Sequence, residues 1–240
     1  MATEHLSIAR PVLHEQVAQR LRQMLVEGLI PPGGKLNERT LCEELSISRT
    51  PLREAIKMLA AEGLVELLPN RGSVAVQLSE ADVRHTFEVM AGLEGLSGEL
   101  AAQRVTDAEL IEIKALHFEM MAAYTRRDLS AYYQVNAAIH RSFNAAAKNP
   151  VLTATYNQVN ARLQALRFRS NQDGDKWQRA VDEHIAMVQA LEDRDPAALR
   201  QVLMHHLDNK RNVVIDQLRA VRHSIDSTPD TSFLTEGHAP

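Results

Sequence analysis

The sequence lacks the residues that disulfides and membrane spans require. Cys42 is the single cysteine among 240 residues, which excludes an intramolecular disulfide and favours a reducing compartment. No apolar run approaches the roughly 20 residues that a membrane helix needs, and the N-terminus has no apolar signal-peptide segment. These absences predict a soluble cytoplasmic protein that does not contact a membrane.

The sequence also lacks an excess of positive charge. It contains 27 basic and 31 acidic residues, for a formal net charge of −4. The segment that ends at Gln77 holds nine of each kind. Any binding of nucleic acid must therefore depend on local placement of cations. A non-specific architectural DNA protein is disfavoured, because such binding requires many phosphate neutralisations.

Helical periodicity dominates the first 62 residues. Residues 12–28 carry an apolar face typical of an amphipathic helix. The proline- and glycine-rich stretch 30–36 predicts a loop. Asn37 is a candidate N-cap for a short second helix, and a three-residue turn leads to a longer helix from about Ser48 to Glu62, which Gly63 ends.

Pro51 marks the start of that longer helix. With Ser48 as N-cap, Pro51 lies in the first turn, where its missing N–H removes no intrahelical hydrogen bond. Arg49, Arg53 and Lys57 recur every four positions on one face. Two helices joined by a tight turn, with cations near the start of the second, predict a DNA-binding helix-turn-helix. A solvated charge stripe is the alternative for the cations alone.

A β-hairpin is predicted directly after the second helix of this motif. In residues 64–77, two short apolar stretches flank a turn that contains Arg71 and Gly72. Glycine permits the positive φ that such a turn needs. We interpret the hairpin as a wing whose Arg71 can reach a phosphate or a minor groove.

The rest of the chain predicts an all-helical domain. The fold class is therefore mainly α, with an N-terminal winged helix-turn-helix and a C-terminal six-helix bundle. We expect a DNA-binding domain at 1–77, a helical domain at 78–225 and a disordered tail at 226–240. The six predicted helices cover about 80–104, 107–126, 129–147, 150–171, 175–193 and 195–222.

The N-terminal part resembles the GntR family of bacterial transcription regulators. The matching stretches are LNER at 36–39, SRTPLREA at 48–55, LAAEGL at 59–64 and NRG at 70–72. Arginine suits this function because it can bind guanine with two hydrogen bonds. The resemblance implies DNA contacts by Arg39, Arg49, Thr50, Arg53, Arg71 and Gly72.

The helical part resembles the ligand-binding (FCD) domain of the FadR-type branch of that family, in its VanR-like six-helix subgroup. The matching stretches are LEGLSGELAA at 93–102, NAAIH at 136–140, NPVL at 149–152, DEHIA at 182–186, and DPAAL at 195–199 followed by MHHL at 204–207.

That resemblance implies a divalent metal site made by Asn136, His140, His184 and His206. Residues four apart on a helix project the same way, and imidazole ligands suit Zn, Ni, Cu or Fe; we expect Zn or Ni. Open coordination positions could take the carboxylate of an effector. Polar core or surface histidines are the alternative, and His205 competes with His206.

Two positions depart from the pattern of the branch. Asn136 stands where many relatives have aspartate, so the site would be more positive. Met90 stands where the branch often has an arginine that could hold a carboxylate. Arg162 and Arg167 could replace that arginine, but a surface position is the favoured interpretation of each.

These features predict a ligand-responsive regulator, expected to be a repressor. It would bind a palindromic double-stranded DNA operator as a homodimer, because one winged helix offers few base contacts. A small carboxylate would act as effector. The alternative is a metal-dependent enzyme fused to a DNA-binding module, for which Asp182 and Glu183 are weak candidate bases.

Overall fold

This computed structural model describes residues 13–69, 71–169 and 174–226. For residues 164–169, 174–176 and 221–226 it describes the backbone alone. Three predictions lie outside this description: the disordered tail beyond residue 226, the role of the Arg167 side chain, and the helical start at Val12.

The first part of the chain forms a small helical domain with a three-stranded sheet. Its apolar core joins all three helices to the sheet. The predicted mainly α fold with an N-terminal winged helix-turn-helix is confirmed. The elements are α1 Leu13–Glu27, β1 Lys35–Leu36, α2 Glu38–Leu45, α3 Arg49–Ala61, β2 Val65–Leu68 and β3 Gly72–Ala75.

Local signals place the two helices of the motif. The side chain of Asn37 accepts hydrogen bonds from the backbone N–H groups of Arg39 and Thr40, as predicted for an N-cap. Ser48 occupies the N-cap position of α3 in extended conformation, but its side chain makes no capping hydrogen bond. The prediction that the Ser48 side chain caps α3 is therefore wrong. The helix nevertheless begins where expected, with Ser48 at the N-cap position.

The sheet contains one strand that periodicity did not predict. Strand order is β1-β3-β2, and both pairings are antiparallel. β1 falls within the predicted loop, since a two-residue strand has no periodicity of its own. It forms because the chain around Gly33 and Gly34 pairs with Ala75. The predicted hairpin is present, and Gly72 has a φ of 85°.

Six helices make up the rest of the described chain. Their bounds agree with the predicted ones within four residues at each end, and the predicted cap Ser79 forms a reciprocal capping box with Asp82. They are α4 Glu80–Arg104, α5 Asp107–Thr125, α6 Leu129–Ala146, α7 Pro150–Arg169, α8 Gly174–Glu192 and α9 Pro196–Asp226.

Helices α4 and α9 approach each other closely at two glycines. A Cβ atom at Gly98 would lie 2.4 Å from Leu203 Cδ1, and one at Gly95 would lie 2.9 Å from Met204 Cγ. The absence of side chains there brings α9, with its histidines, against α4. Within the described residues, no helix is both long and apolar enough to cross a membrane.

Candidate metal centre and nucleic-acid interface

Three histidines from three helices meet inside the helical bundle. His140 lies on α6, His184 on α8 and His206 on α9, and all three are buried. Their ring centroids are 4.9 to 5.3 Å apart. One nitrogen of each ring lies within 4.8 Å of one nitrogen of the others. This spacing allows three imidazoles to bind one metal ion.

The Nδ1 atoms of two of these histidines have acceptors that fix the ring orientation. His184 Nδ1 lies 2.7 Å from the carbonyl oxygen of Ala180. His206 Nδ1 lies 2.5 Å from Glu183 Oε2. An imidazole that donates from Nδ1 keeps its lone pair on Nε2. Such contacts are typical of metal-binding histidines, because they set the tautomer and hold the ring in place.

Glu94 of α4 contributes a third contact of this kind. Its Oε2 lies 2.8 Å from His140 Nδ1, and both side chains are 2% exposed. The two atoms are not aligned as a regular hydrogen bond. Glu94 nevertheless places a carboxyl oxygen beside His140 Nδ1, which favours the tautomer with its proton on Nδ1 and leaves Nε2 as the atom available to a metal.

The charge state of the centre suits metal binding. Complete burial lowers the pKa of His184 well below its usual range, and the neighbouring His206 and His140 rings lower that pKa further. His184 is thus neutral at physiological pH, the form that binds metals. Its Nε2 is buried and has no hydrogen-bond partner among the described residues.

Asn136 lies one helical turn before His140, and its side chain is also buried. Within the part of the chain that the structure describes, its Oδ1 has no hydrogen-bond partner. Leaving such an acceptor unsatisfied costs about 1–3 kcal/mol. A cation at the centre would remove this cost, so the donor set of three imidazoles and an amide oxygen fits a divalent ion.

The structure distinguishes His206 from His205, the alternative candidate for the same ligand position. His205 is exposed, and its Nε2 lies 3.0 Å from Asn209 Nδ2 instead of joining the cluster. The candidate bases also have other partners. Glu183 accepts from His206 and Asn209, and Asp182 accepts from Gln178.

The candidate effector-binding arginines do not lie in the described core. Met90 is fully buried in an apolar cluster, so no cation occupies that position. Arg162 is exposed, and a Cβ atom at Gly63 would lie 2.6 Å from its Nε. Arg162 of α7 therefore contacts the end of α3. Arg167 belongs to α7, but its side chain is outside the described set.

The predicted DNA contacts all lie on the surface of the winged helix. The first turn of α3 presents two arginines and a threonine within five residues, and the hairpin turn presents a third arginine. Surface cations at a helix start and at a wing are what major-groove and backbone contacts require. The exposed residues are Arg39, Arg49, Thr50, Arg53, Arg71 and Gly72.

Acidic neighbours partly neutralise these cations. Arg53 forms an ion pair with Glu38 at 3.0 Å, and Arg39 with Glu43 at 3.1 Å. The hydrogen bond and charge of Glu38 raise the pKa of Arg53. No ion pair of Arg49 occurs in the described part of the chain. Sequence reasoning missed the Glu38–Arg53 pair, because the two residues lie fifteen positions apart. The Arg39–Glu43 pair, four residues apart on α2, follows from helical spacing.

Sequence comparisons agree with this architecture. Residues 13–74 match the model of the bacterial regulatory proteins, gntR family. Residues 85–209, which include all three histidines of the centre, match the FCD domain model.

Curated relatives align over most of their length. The chain is 25% identical to the HTH-type transcriptional repressor RspR of Escherichia coli K12 over 217 residues, which cover 90% of this chain and 93% of the relative. It is 25% identical over 206 residues to the gluconate operon transcriptional repressor of Bacillus subtilis, covering 84% of each chain.

A solved structure shares the fold. McbR/YncC of E. coli matches with a TM-score of 0.72 at 20% identity, covering 90% of this chain and 99% of that one. The relatives are transcriptional regulators and not enzymes, which removes the predicted alternative of a metal-dependent enzyme. The chain belongs to the GntR family, as a DNA-binding transcriptional regulator with a C-terminal FCD domain.

Proposed function

We propose that this regulator is a cytoplasmic, ligand-responsive repressor controlled by a small carboxylate at a metal-containing site. The two domains have different roles. Residues 1–77 bind DNA, and residues 78–225 bind the effector and form the dimer. The observation that carries the proposal is the group of three buried histidines, whose Nδ1 atoms lie beside Glu94, Ala180 and Glu183.

The metal is a divalent ion held by Asn136, His140, His184 and His206. Zn or Ni fits best, since three imidazoles favour borderline metals over the hard ions Mg and Ca. The neutral amide of Asn136 adds no negative charge. Negative charge comes from Glu94 and from Glu183, behind His140 and His206 respectively.

The operator is a palindrome bound by a homodimer. Arg49 and Thr50 begin α3 and are exposed, so they can enter the major groove when the helix docks by its N-terminal end. Arg71 and Gly72 of the wing and Arg39 and Arg53 of the helices are also exposed, so they can add contacts to the DNA. A two-fold dimer doubles these few base contacts.

The effector is a small carboxylate. A metal with open coordination positions binds carboxylate oxygens, and one relative is named for a gluconate operon, gluconate being a sugar acid. An effector can release DNA only if it binds one arrangement of the two domains better than the other.

Helix α6 extends from the proposed metal centre to a groove that it shares with α1 of the DNA-binding domain. Asn136 and His140 face the centre, while Tyr133, one turn earlier, lines a groove of about 420 Å³ against α1. Arg22 of α1 lines the same groove and forms an ion pair with Glu62, the C-cap of α3. A shift of α6 on ligand binding would therefore reach the end of the DNA-contacting helix.

The proposal is tested with the full chain in metal-loaded and chelator-treated forms. Fluorescence anisotropy with a palindrome selected from random DNA measures operator binding. Light scattering measures oligomeric state, and mass spectrometry measures bound metal. We expect a dimer, sequence-specific binding, and release of DNA by a sugar acid only when metal is bound. Equal affinity for random DNA, or release that is independent of metal, would contradict it.

A further inference from the structure

Helices α8 and α9 enclose a small polar pocket beside the metal centre. Its volume is about 180 Å³, below the roughly 300–1,000 Å³ of clefts for drug-sized ligands. It therefore admits a molecule of only a few carbon atoms. The polar lining residues are Arg179, Glu183, Asn209, Lys210, Asn212 and Asp216.

The pocket and the metal centre share a wall. Ala180 and Glu183 line the pocket, and the same two residues lie against Nδ1 of His184 and His206. A molecule in the pocket is therefore separated from two metal-binding histidines by only one residue each. Its binding would move the groups that orient those histidines.

Lys210 places a buried cation at this wall. The side chain is 7% exposed, and it lies one helical turn after His206, so both project from the same face of α9. Its positive charge is near enough to His184 to contribute to lowering the pKa of that histidine. A buried ammonium is stable only among acceptors, and its three donors allow a ligand oxygen to join protein acceptors.

The other charged groups of the pocket are more exposed than Lys210. Arg179 and Asp216 are exposed, whereas Glu183 already accepts from Asn209 as well as from His206. The pocket thus combines a buried cation with an exposed cation and an exposed carboxylate. This arrangement suits a ligand with a carboxylate at its inner end and a hydrogen-bond donor at its outer end.

We propose that the pocket between α8 and α9 binds a small carboxylate that also carries a hydroxyl or amino donor, with Lys210 as the anchor of its carboxylate and Asp216 as acceptor for its donor. The pocket is then a second acid-binding site, which lies beside the proposed metal centre and is separate from it, and it selects hydroxy acids and amino acids.

The test is isothermal titration calorimetry of the full chain with acetate, L-lactate and L-alanine, and with D-gluconate as an acid too large for the pocket. We expect L-lactate or L-alanine to bind the wild type more tightly than acetate. Lys210→Met preserves volume and should weaken that binding about tenfold or more, because it removes a charge-assisted hydrogen bond. Asp216→Asn should reduce the preference over acetate, and Lys114→Met on α5 is the matched control that should change nothing.

Titrations are repeated on chelator-treated protein, so that pocket and metal are assessed separately. If neither L-lactate nor L-alanine binds the wild type, or if Lys210→Met binds them as well as the wild type, the pocket assignment is overturned. Arg179→Glu replaces an exposed residue and should weaken acid binding severalfold by repulsion; it serves if Lys210→Met does not fold. A protein that binds acids through Lys210 but takes up no metal would overturn the proposed metal site and leave the pocket assignment standing.

Discussion

The two functional regions of this protein differ in where they place their charges. The side chains of Arg39 and Arg53 on the winged helix are 82% and 58% exposed. His140, His184 and His206 in the helical bundle are 3%, 0% and 2% exposed. The first region presents charge at the protein surface, where DNA can reach it, whereas the second withdraws polar groups from water at the proposed metal site.

Because of this difference, substitutions in the two regions should affect different properties of the protein. An exposed arginine can be removed with little effect on folding, since surface substitutions usually change stability by less than about 0.5 kcal/mol. A buried polar side chain is part of the core. A metal ion bound to such side chains therefore contributes to the free energy of unfolding. The following substitutions test this contrast, beginning with the one that should have the largest effect.

Removal of a buried histidine should abolish metal binding. In His140→Ala we expect bound metal to fall to background by mass spectrometry, and the stabilisation by added Zn to disappear. A ligand at a thousand times its Kd contributes about 4 kcal/mol of stability. The protein should remain a dimer by light scattering. His205→Ala, a change in an exposed neighbour, is the control. Wild-type metal content in His140→Ala would refute the assigned site.

Removal of an exposed arginine should affect DNA binding alone. Arg49→Ala should weaken operator binding by roughly 1–3 kcal/mol, measured by anisotropy, and leave the thermal unfolding midpoint nearly unchanged. Arg126→Ala, an exposed arginine at the end of α5, should alter neither quantity. A large loss of stability in Arg49→Ala would show that Arg49 supports the fold.

Acid should destabilise the bundle in the absence of metal. The pKa of His184 is lowered in the folded state, so below about pH 6.5 the unfolded chain binds more protons. Stability is therefore present above that pH and is lost as the pH falls towards the folded-state pKa, by about 1.4 kcal/mol per pH unit. Burial also lowers the pKa of His117, which adds a contribution of the same sign.

Urea unfolding of chelator-treated protein between pH 7.5 and 5.5 measures this slope. His184→Gln should flatten it, and His117→Gln should flatten it to a smaller extent. A slope unchanged in both variants would mean that neither histidine is buried in its neutral form.

Loss of an acidic neighbour should strengthen DNA binding modestly. Glu38→Gln frees Arg53 from its ion pair and removes a negative charge from the DNA-facing surface. We expect severalfold tighter operator binding at low salt, with the gain reduced at high salt because exposed charges are screened. Glu54→Gln, which frees Lys57 in the same way, is the comparison. Weaker binding in Glu38→Gln would indicate that the pair positions Arg53 for DNA.

Some features were predictable because they depend on neighbouring residues. The cap at Asn37, the end of α3 at Gly63 and the turn at Gly72 arise from interactions within four residues or from backbone conformation. The six helices of the bundle follow from periodicity and caps for the same reason. Their arrangement as a winged helix and bundle, and the predicted metal-binding histidines, were inferred from resemblance to a family.

Other features required the tertiary structure. Strand β1 exists only through pairing with β3, and Ser48 shows that a residue with capping potential need not use its hydroxyl. The contact of Glu94 with His140 joins residues of two helices, as does that of Glu183 with His206. The pocket around Lys210 depends on how α8 lies against α9.

The sequence alone determined the order and approximate bounds of the helices, the exposed arginines of α3 and the histidines available for a metal. Only the tertiary structure decided that His206 and not His205 joins the centre, that Glu94 lies beside His140, and that Lys210 is buried. The reason is physical. Helix formation depends on contacts a few residues apart, whereas burial and charge pairing depend on which distant segments pack together and exclude water.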